Sequence, residues 1–415
     1  MIKTIFLHIG VHKTASTTIQ NTFFQERAKL LEAGVLYPVF KAGNIAISNH
    51  SIPFYSLFRE HPEIFHFNQS KGFITVDAIK TIHQEYHQQL QEQLADFDGE
   101  TLVISGEDIS HLQKDELENM KAYLKETTHP GVNIKVVLIC RHPVSWFRSA
   151  LQGSVCAFGL PLQKAVERHL GRTQLFRKLF YAFSEVFGHT QLSLMKYEDA
   201  IPHPFGPAGA FLALIDKDLP KKIKPAIIRD NQSRTYEAVT LSDAINRTFP
   251  QSQDYELHPE RMVVLNRHLS GMPGQKFMLS KGMSAIAWQT LAEDVNWLCR
   301  EFSLQPYSFL NEDFQESSDI WDGQTLEYLK MVFPNFPDFQ KKVFLDALLN
   351  ELHNKRKIFT SNKAQKIFWF VMFHSIYLQA GSRIAKLRYF SKLVGYGLSL
   401  KLSLHYYTHK IFQFS

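Results

Sequence analysis

The sequence predicts an α/β fold, a parallel sheet flanked by helices with a helical extension at its C-terminal end, and three observations predict it. Short apolar and β-branched runs recur at residues 4–9, 35–38, 101–105, 134–140 and 191–195. Segments with helical spacing separate them, which calls for crossover connections and therefore parallel strands. Hydrophobic residues make up 45% and charged residues 21% of the 415, as in ordinary soluble proteins and unlike disordered or many-span membrane chains.

Each element has its local reason. The run 4–9 ends at Gly10 and reads as a buried strand, apolar on both faces. From Ser16 onward Ile19, Phe23 and Leu30 fall on one helical stripe, and Gly34 is placed to stop that helix before the strand at 35–38. The strand at 101–105 follows a long polar helical region, and the strand at 134–140 follows a helix at 117–125. In such a sheet ligands are expected at the carboxyl ends of the strands. Residues 202–273 are rich in Pro and polar residues and read as loops and short helices, and 289–302 reads as a helix. A boundary at Glu316-Ser317-Ser318 divides an expected catalytic domain, 1–315, from an extension, 316–415, with amphipathic helices at 325–332 and 339–350.

The charge is uneven. Residues 351–415 carry 11 Lys and Arg against one acid, Glu351, so the net +6 of the chain is +10 in the tail set against −4 before it. Lys355, Arg356, Lys357 and Arg383 there flank Trp369, Phe370 and Tyr377, a chemistry suited to peripheral contact with an anionic membrane surface or a polyanionic glycan, or to a helical appendage with solvated lysines. The apolar run 367–378 is shorter than the ~20 residues needed to span a bilayer. Nucleic acid is not expected as a partner, because the residues before the tail are net acidic. The N-terminal run offers no small-residue cleavage site, and a cytoplasmic protein, peripheral at the inner face of the membrane at most, is the expectation. Cys140, Cys156 and Cys299 have no metal spacing and are expected as reduced thiols. Of the 19 histidines, His83 and His87 stand at i, i+4 without a third ligand, and no metal is expected.

The segment from His8 to Gln20, His-Ile-Gly-Val-His-Lys-Thr-Ala-Ser-Thr-Thr-Ile-Gln, carries the chemistry. A loop between a strand end and a helix start offers unpaired backbone N–H groups and a positive dipole to an anion. His12 and Lys13 lie in it, and Thr14, Ser16, Thr17 and Thr18 supply hydroxyls. A nucleotide-kinase loop laid from Gly10 would need Gly at 15 and Lys at 16, where Ala15 and Ser16 stand. A second segment, Arg141-His142-Pro143-Val144-Ser145-Trp146-Phe147-Arg148-Ser149, opens directly after the strand at 134–140.

Together these segments resemble the sulfotransferases that use 3′-phosphoadenosine 5′-phosphosulfate (PAPS), of the bacterial carbohydrate type. The resemblance implies a P-loop-like sulfotransferase fold over about residues 1–315, with PAPS as co-substrate and no metal. It also implies that His12, Lys13, Thr14, Ala15, Ser16, Thr17 and Thr18 cradle the 5′-phosphosulfate, and that Arg141 and Ser149 bind the 3′-phosphate. Gly34-Val35-Leu36-Tyr37-Pro38, Ser105-Gly106-Glu107, Met195-Lys196-Tyr197-Glu198-Asp199 and Ser280-Lys281-Gly282 are weaker matches. Ala15 departs from the glycine of the pattern. Its backbone is expected in the right-handed helical region, a left-handed residue counting against the alignment.

Sulfuryl transfer needs a cation at the bridging oxygen and a base for the acceptor hydroxyl. Lys13 is the expected cation. Two bases stay open: Glu107, after the strand at 101–105, and His50, after the second strand. The acceptor implied is a carbohydrate or glycolipid. Two other readings also remain, an ATP-dependent small-molecule kinase and an inactive glycan- or membrane-binding protein on the same scaffold.

Overall fold

The computed structural model describes residues 1–227, 233–248, 269, 271–309 and 323–332. Among these, β1 (Thr4–His8), β2 (Val35–Leu36), β5 (Thr101–Ser105), β6 (Asn133–Cys140) and β7 (Leu192–Lys196) form a parallel sheet in the order β2-β5-β1-β6-β7. All five expected strands are present, with ends shifted by one or two residues. Residues 40–47 add a hairpin of β3 (Phe40–Ala42) and β4 (Ile45–Ile47), turned at Gly43 with φ 60°.

Burial explains why this sheet holds. Ile5 and Leu7 of β1 face one side and Phe6 the other, the period of two that a strand imposes. The first side packs on Ile82 and Tyr86 of helix Val76–Ala95, Leu117 and Met120 of helix Lys114–Thr127, Phe180 and Phe183 of helix Leu175–Phe187, and Leu298 of helix Lys281–Glu301. The second packs on Ile19 and Phe23 of helix Ser16–Gln25 and on Phe211 of helix Gly206–Ile215. Each such fully buried aliphatic or aromatic side chain stabilises the fold by about 1.5–3 kcal/mol. The helix expected at 289–302 starts earlier, at Lys281, because Ser280 caps it: its hydroxyl accepts from the Met283 N–H at 3.3 Å. That cap is the structural setting of Ser280-Lys281-Gly282.

Strand order places the ligand crevice. From β1 the chain moves toward one edge of the sheet, and from β6 toward the other, so the direction reverses between these two neighbours. At such a reversal the loops after the two strands part and leave a crevice at the carboxyl ends. Here those loops carry Lys13 and Arg141.

The chain divides into two compact units: Met1–Leu151 with Val166–Gln232 and Met278–Glu316, and Gln152–Ala165 with Ser233–Phe277 and Ser317–Ser415. The first contains the whole sheet. Within the second, Asn246 of helix Tyr236–Thr248 donates to the carbonyls of Val155 at 2.9 Å and Leu160 at 2.8 Å, and Asp243 accepts from the Leu162 N–H at 2.6 Å. Helix Gly323–Val332 matches the one expected at 325–332, whereas the helix expected at 339–350 and the basic tail 355–415 lie outside the described residues. No helix among the described residues is long and apolar enough to cross a membrane.

Candidate active site

Between β1 and helix Ser16–Gln25 the backbone takes an uncommon course. Lys13 has φ 75° and Ala15 φ 71°, on either side of Thr14. Alternation of right- and left-handed residues turns successive N–H groups toward one point, a concave anion nest, and it runs here straight into a helix N-terminus. The loop is held from its carbonyl side. Arg141 Nη1 donates to the Lys13 carbonyl at 2.8 Å, Trp146 Nε1 donates to the His12 carbonyl at 2.9 Å, and the buried Thr14 hydroxyl donates to Val11 O.

The expected right-handed backbone at Ala15 is overturned, which counts against aligning this loop with the sulfotransferase pattern and leaves the anion nest to stand on its own geometry. The residue is left-handed, φ 71° and ψ 15°, the conformation a glycine would hold without cost. The expectation took alanine's own preference for the requirement of the loop; the nest imposes the geometry, and the Cβ of Ala15 bears about 1–2 kcal/mol of strain. Ala15→Gly is therefore expected to stabilise the protein by about 1 kcal/mol once the extra freedom of the unfolded chain is offset, read as a raised denaturation midpoint. An unchanged or lowered midpoint would count against a strained nest.

Beneath the loop, His8 Nδ1 lies 2.8 Å from Ser105 Oγ. His8 Nε2 and Ser16 Oγ are buried, have no hydrogen-bond partner among the described residues, and face the bare Cα of Gly10, where a Cβ would overlap both. Ser16 thus directs its hydroxyl inward. Thr17 is exposed and Thr18 half-buried at the start of the helix.

At the end of β5, Glu107 and Asp108 close on His12. Glu107 Oε1 is 3.1 Å from His12 Nδ1, and Asp108 Oδ1 is 3.4 Å from Nε2. Burial alone would lower the pKa of His12, but hydrogen bonds to Asp108 and Glu107 and their charges outweigh it and raise it to about 9. Asp108 shows the counterpart: burial works to raise its pKa, and the bond to His12 brings it below the usual value.

His50 occupies a different environment. It is fully buried, with Nε2 2.8 Å from Pro38 O and Nδ1 accepting the Ser105 N–H at 3.0 Å. Its backbone N–H also bonds Ser105 O, so the residue ties the chain after β4 to the end of β5. With both ring nitrogens on backbone, it has no atom left for an acceptor hydroxyl.

The two buried histidines have a measurable consequence. Burial lowers the pKa of His8 to about 3; at His50 burial outweighs the bond to Pro38 and lowers it to about 4. In the unfolded chain both titrate near the usual 6.5, so below that pH the unfolded state binds protons that the native state does not. Their stabilisation is complete above pH ~6.5 and is lost as the pH falls toward the native values, on the order of 3 kcal/mol for each by pH ~4. Denaturant unfolding of His50→Gln at pH ~7 and pH ~4.5 should show a smaller gap between the two conditions than the parent. An identical gap would contradict the assignment.

After β6, Arg141 lies half-buried with Nε 2.8 Å from Ser145 Oγ and its guanidinium 4.2 Å from the centre of the Tyr197 ring. Glu198 accepts from the His142 N–H at 3.0 Å and from the Tyr307 hydroxyl at 2.7 Å, joining the ends of β6 and β7. Ser149 is half-buried on helix Pro143–Cys156, two turns beyond Arg141. The structure thus links His12 to Glu107 and the Lys13 carbonyl to Arg141 at the carboxyl ends of β1, β5 and β6, and sets His50 in the core. Reasoning from sequence missed Ser145 and Trp146, although both lie inside the quoted segment after β6. The hydroxyl of Ser145 in the first turn of the helix that follows Arg141 was the available signal.

No family model matches the sequence, and no curated protein matches it significantly. Among solved structures, a sulfotransferase from Alicyclobacillus acidocaldarius is similar at TM-score 0.32 and 13% identity, over 56% of this chain and 87% of that one. A likeness this distant leaves the function to the chain's own residues.

Proposed function

We propose that the protein transfers a sulfuryl group from PAPS to a hydroxyl of a carbohydrate or glycolipid. The observation that carries this reading is the left-handed nest at Lys13 and Ala15, fastened through the Lys13 carbonyl to Arg141 across the strand reversal. It supports one elongated bis-anionic ligand, held at one end by the nest and at the other by Arg141. The donor set fits such a ligand: backbone N–H groups, Lys13, the hydroxyls of Thr17 and Thr18, and a guanidinium.

In this reading Lys13, Thr17 and Thr18, with the backbone N–H of Ser16, hold the phosphosulfate, and Arg141 with Ser149 holds the 3′-phosphate. Lys13 balances the charge that gathers on the bridging oxygen as its bond to sulfur breaks. Glu107 takes the acceptor proton as the new sulfur–oxygen bond forms, and His12 orients it. The test is transfer of radiolabelled sulfate from PAPS to glycan and lipid extracts of the host. Label in an extracted hydroxyl compound is the expected result. Label released only as inorganic sulfate, or no transfer with any fraction, would overturn the proposal.

A further inference from the structure

We propose that His12, Asp108 and His111 form a site for a divalent transition metal of the zinc class. The three residues come from two loops that only the pairing of β1 with β5 brings together: His12 follows β1, and Asp108 and His111 bracket the short 3₁₀ turn after β5. One ligand atom from each lies within 4.8 Å of the others.

The spacing suits a metal. With metal–ligand distances of about 2.0–2.2 Å and tetrahedral angles, neighbouring ligand atoms stand about 3.4 Å apart. His12 Nε2 and Asp108 Oδ1 are 3.4 Å apart, and His111 Nδ1 is 3.9 Å from the same oxygen, so a small shift of the His111 ring closes the set. The His12 and His111 rings are stacked at 5.5 Å with 30° between their planes, so neither blocks the other. Glu107 completes the arrangement from outside. Once the ion displaces the proton of His12 Nε2, the proton left on Nδ1, donated to Glu107 Oε1 at 3.1 Å, keeps the Nε2 lone pair on the side of Asp108, which is how a carboxylate commonly orients a metal-binding histidine. The side chains of His12 and His111 are 32% and 41% exposed, enough for an ion to enter. Three protein ligands leave further positions to water or a hydroxyl oxygen, as in catalytic sites and unlike closed structural ones. The expectation of no metal looked for ligands within a single helix, at His83 and His87, and this set is assembled across the sheet.

The test uses the full chain, stripped with chelator and titrated calorimetrically with Zn²⁺, then with Co²⁺ while visible absorption is followed. Neither donor nor acceptor is present, so failure here leaves the sulfuryl-transfer reading untouched. One tight ion per chain is expected, with Co²⁺ bands of a low-symmetry nitrogen and oxygen site. Asp108→Asn and His111→Ala should each weaken binding at least tenfold, and Glu107→Gln roughly tenfold as an orienting residue. His83→Ala, which alters a half-buried histidine bonded to Ser56, should leave the affinity unchanged. Unchanged melting curves for the variants exclude misfolding as the cause. No tight ion in the parent, or equal affinity in His111→Ala, would overturn the site.

Discussion

Lys13→Ala is expected to lower the rate of sulfuryl transfer on the order of 10²-fold or more, with the fold intact. The argument separates backbone from side chain. Lys13 holds φ 75°, and its carbonyl is bonded by Arg141, so the loop's course depends on main-chain groups that alanine retains. Alanine also keeps the Cβ and with it the same strain, so stability should barely change. What disappears is the ammonium, the one full positive charge that the loop itself carries besides the His12 imidazolium. Because that charge is asked to act on the bridging oxygen as the bond breaks, the loss should appear in the single-turnover rate more than in donor affinity. A rate within threefold of the parent would remove Lys13 from the chemistry.

Glu107→Gln is expected to cost between about 10² and 10⁴ in kcat, the usual contribution of a positioned base. Glutamine preserves the shape of the side chain and can still accept from His12 Nδ1, so the loop and the donor site should be undisturbed. The donor KM should therefore stay close to the parent's while kcat falls. His50→Gln supplies the contrast. With both ring nitrogens on backbone, its loss should weaken the fold, most visibly near neutral pH, and leave the turnover of the folded fraction nearly unchanged. Full activity in Glu107→Gln, or a collapse of turnover in a well-folded His50→Gln, would reverse the assignment of the base.

Much of the scaffold could be read before any coordinates. Strands buried on both faces write themselves as unbroken apolar runs, and Ile5, Leu102 and Val136 are such residues, each 0% exposed. The hairpin of β3 and β4 was illegible because its strands are three residues each, with Lys41 in the first and only Phe40, Ala42 and Ile47 turned inward. The positions of Lys13, Glu107 and Arg141 at the carboxyl ends of β1, β5 and β6 were legible because each follows a strand closely. The site was misjudged where burial decides. His50 has the sequence position of a base, and only the fold shows Pro38 and Ser105 taking both its nitrogens. The meeting of His12 with Asp108 and His111 was hidden for another reason: it depends on the register His8 to Ser105 between β1 and β5, residues 97 apart in the chain. At Ala15 the side chain suggested one conformation, and the surrounding hydrogen bonds imposed another.

The central claim, that the loop after β1 and Arg141 after β6 hold the two anionic ends of PAPS, is tested most directly by calorimetric titration with adenosine 3′,5′-bisphosphate. ATP with Mg²⁺ is titrated in parallel. The account expects the bisphosphate to bind the parent more tightly than ATP, and expects Arg141→Ala, which removes a charge-assisted phosphate contact, to weaken it by at least tenfold. Tighter binding of ATP with Mg²⁺, or bisphosphate affinity indifferent to Arg141, would contradict it.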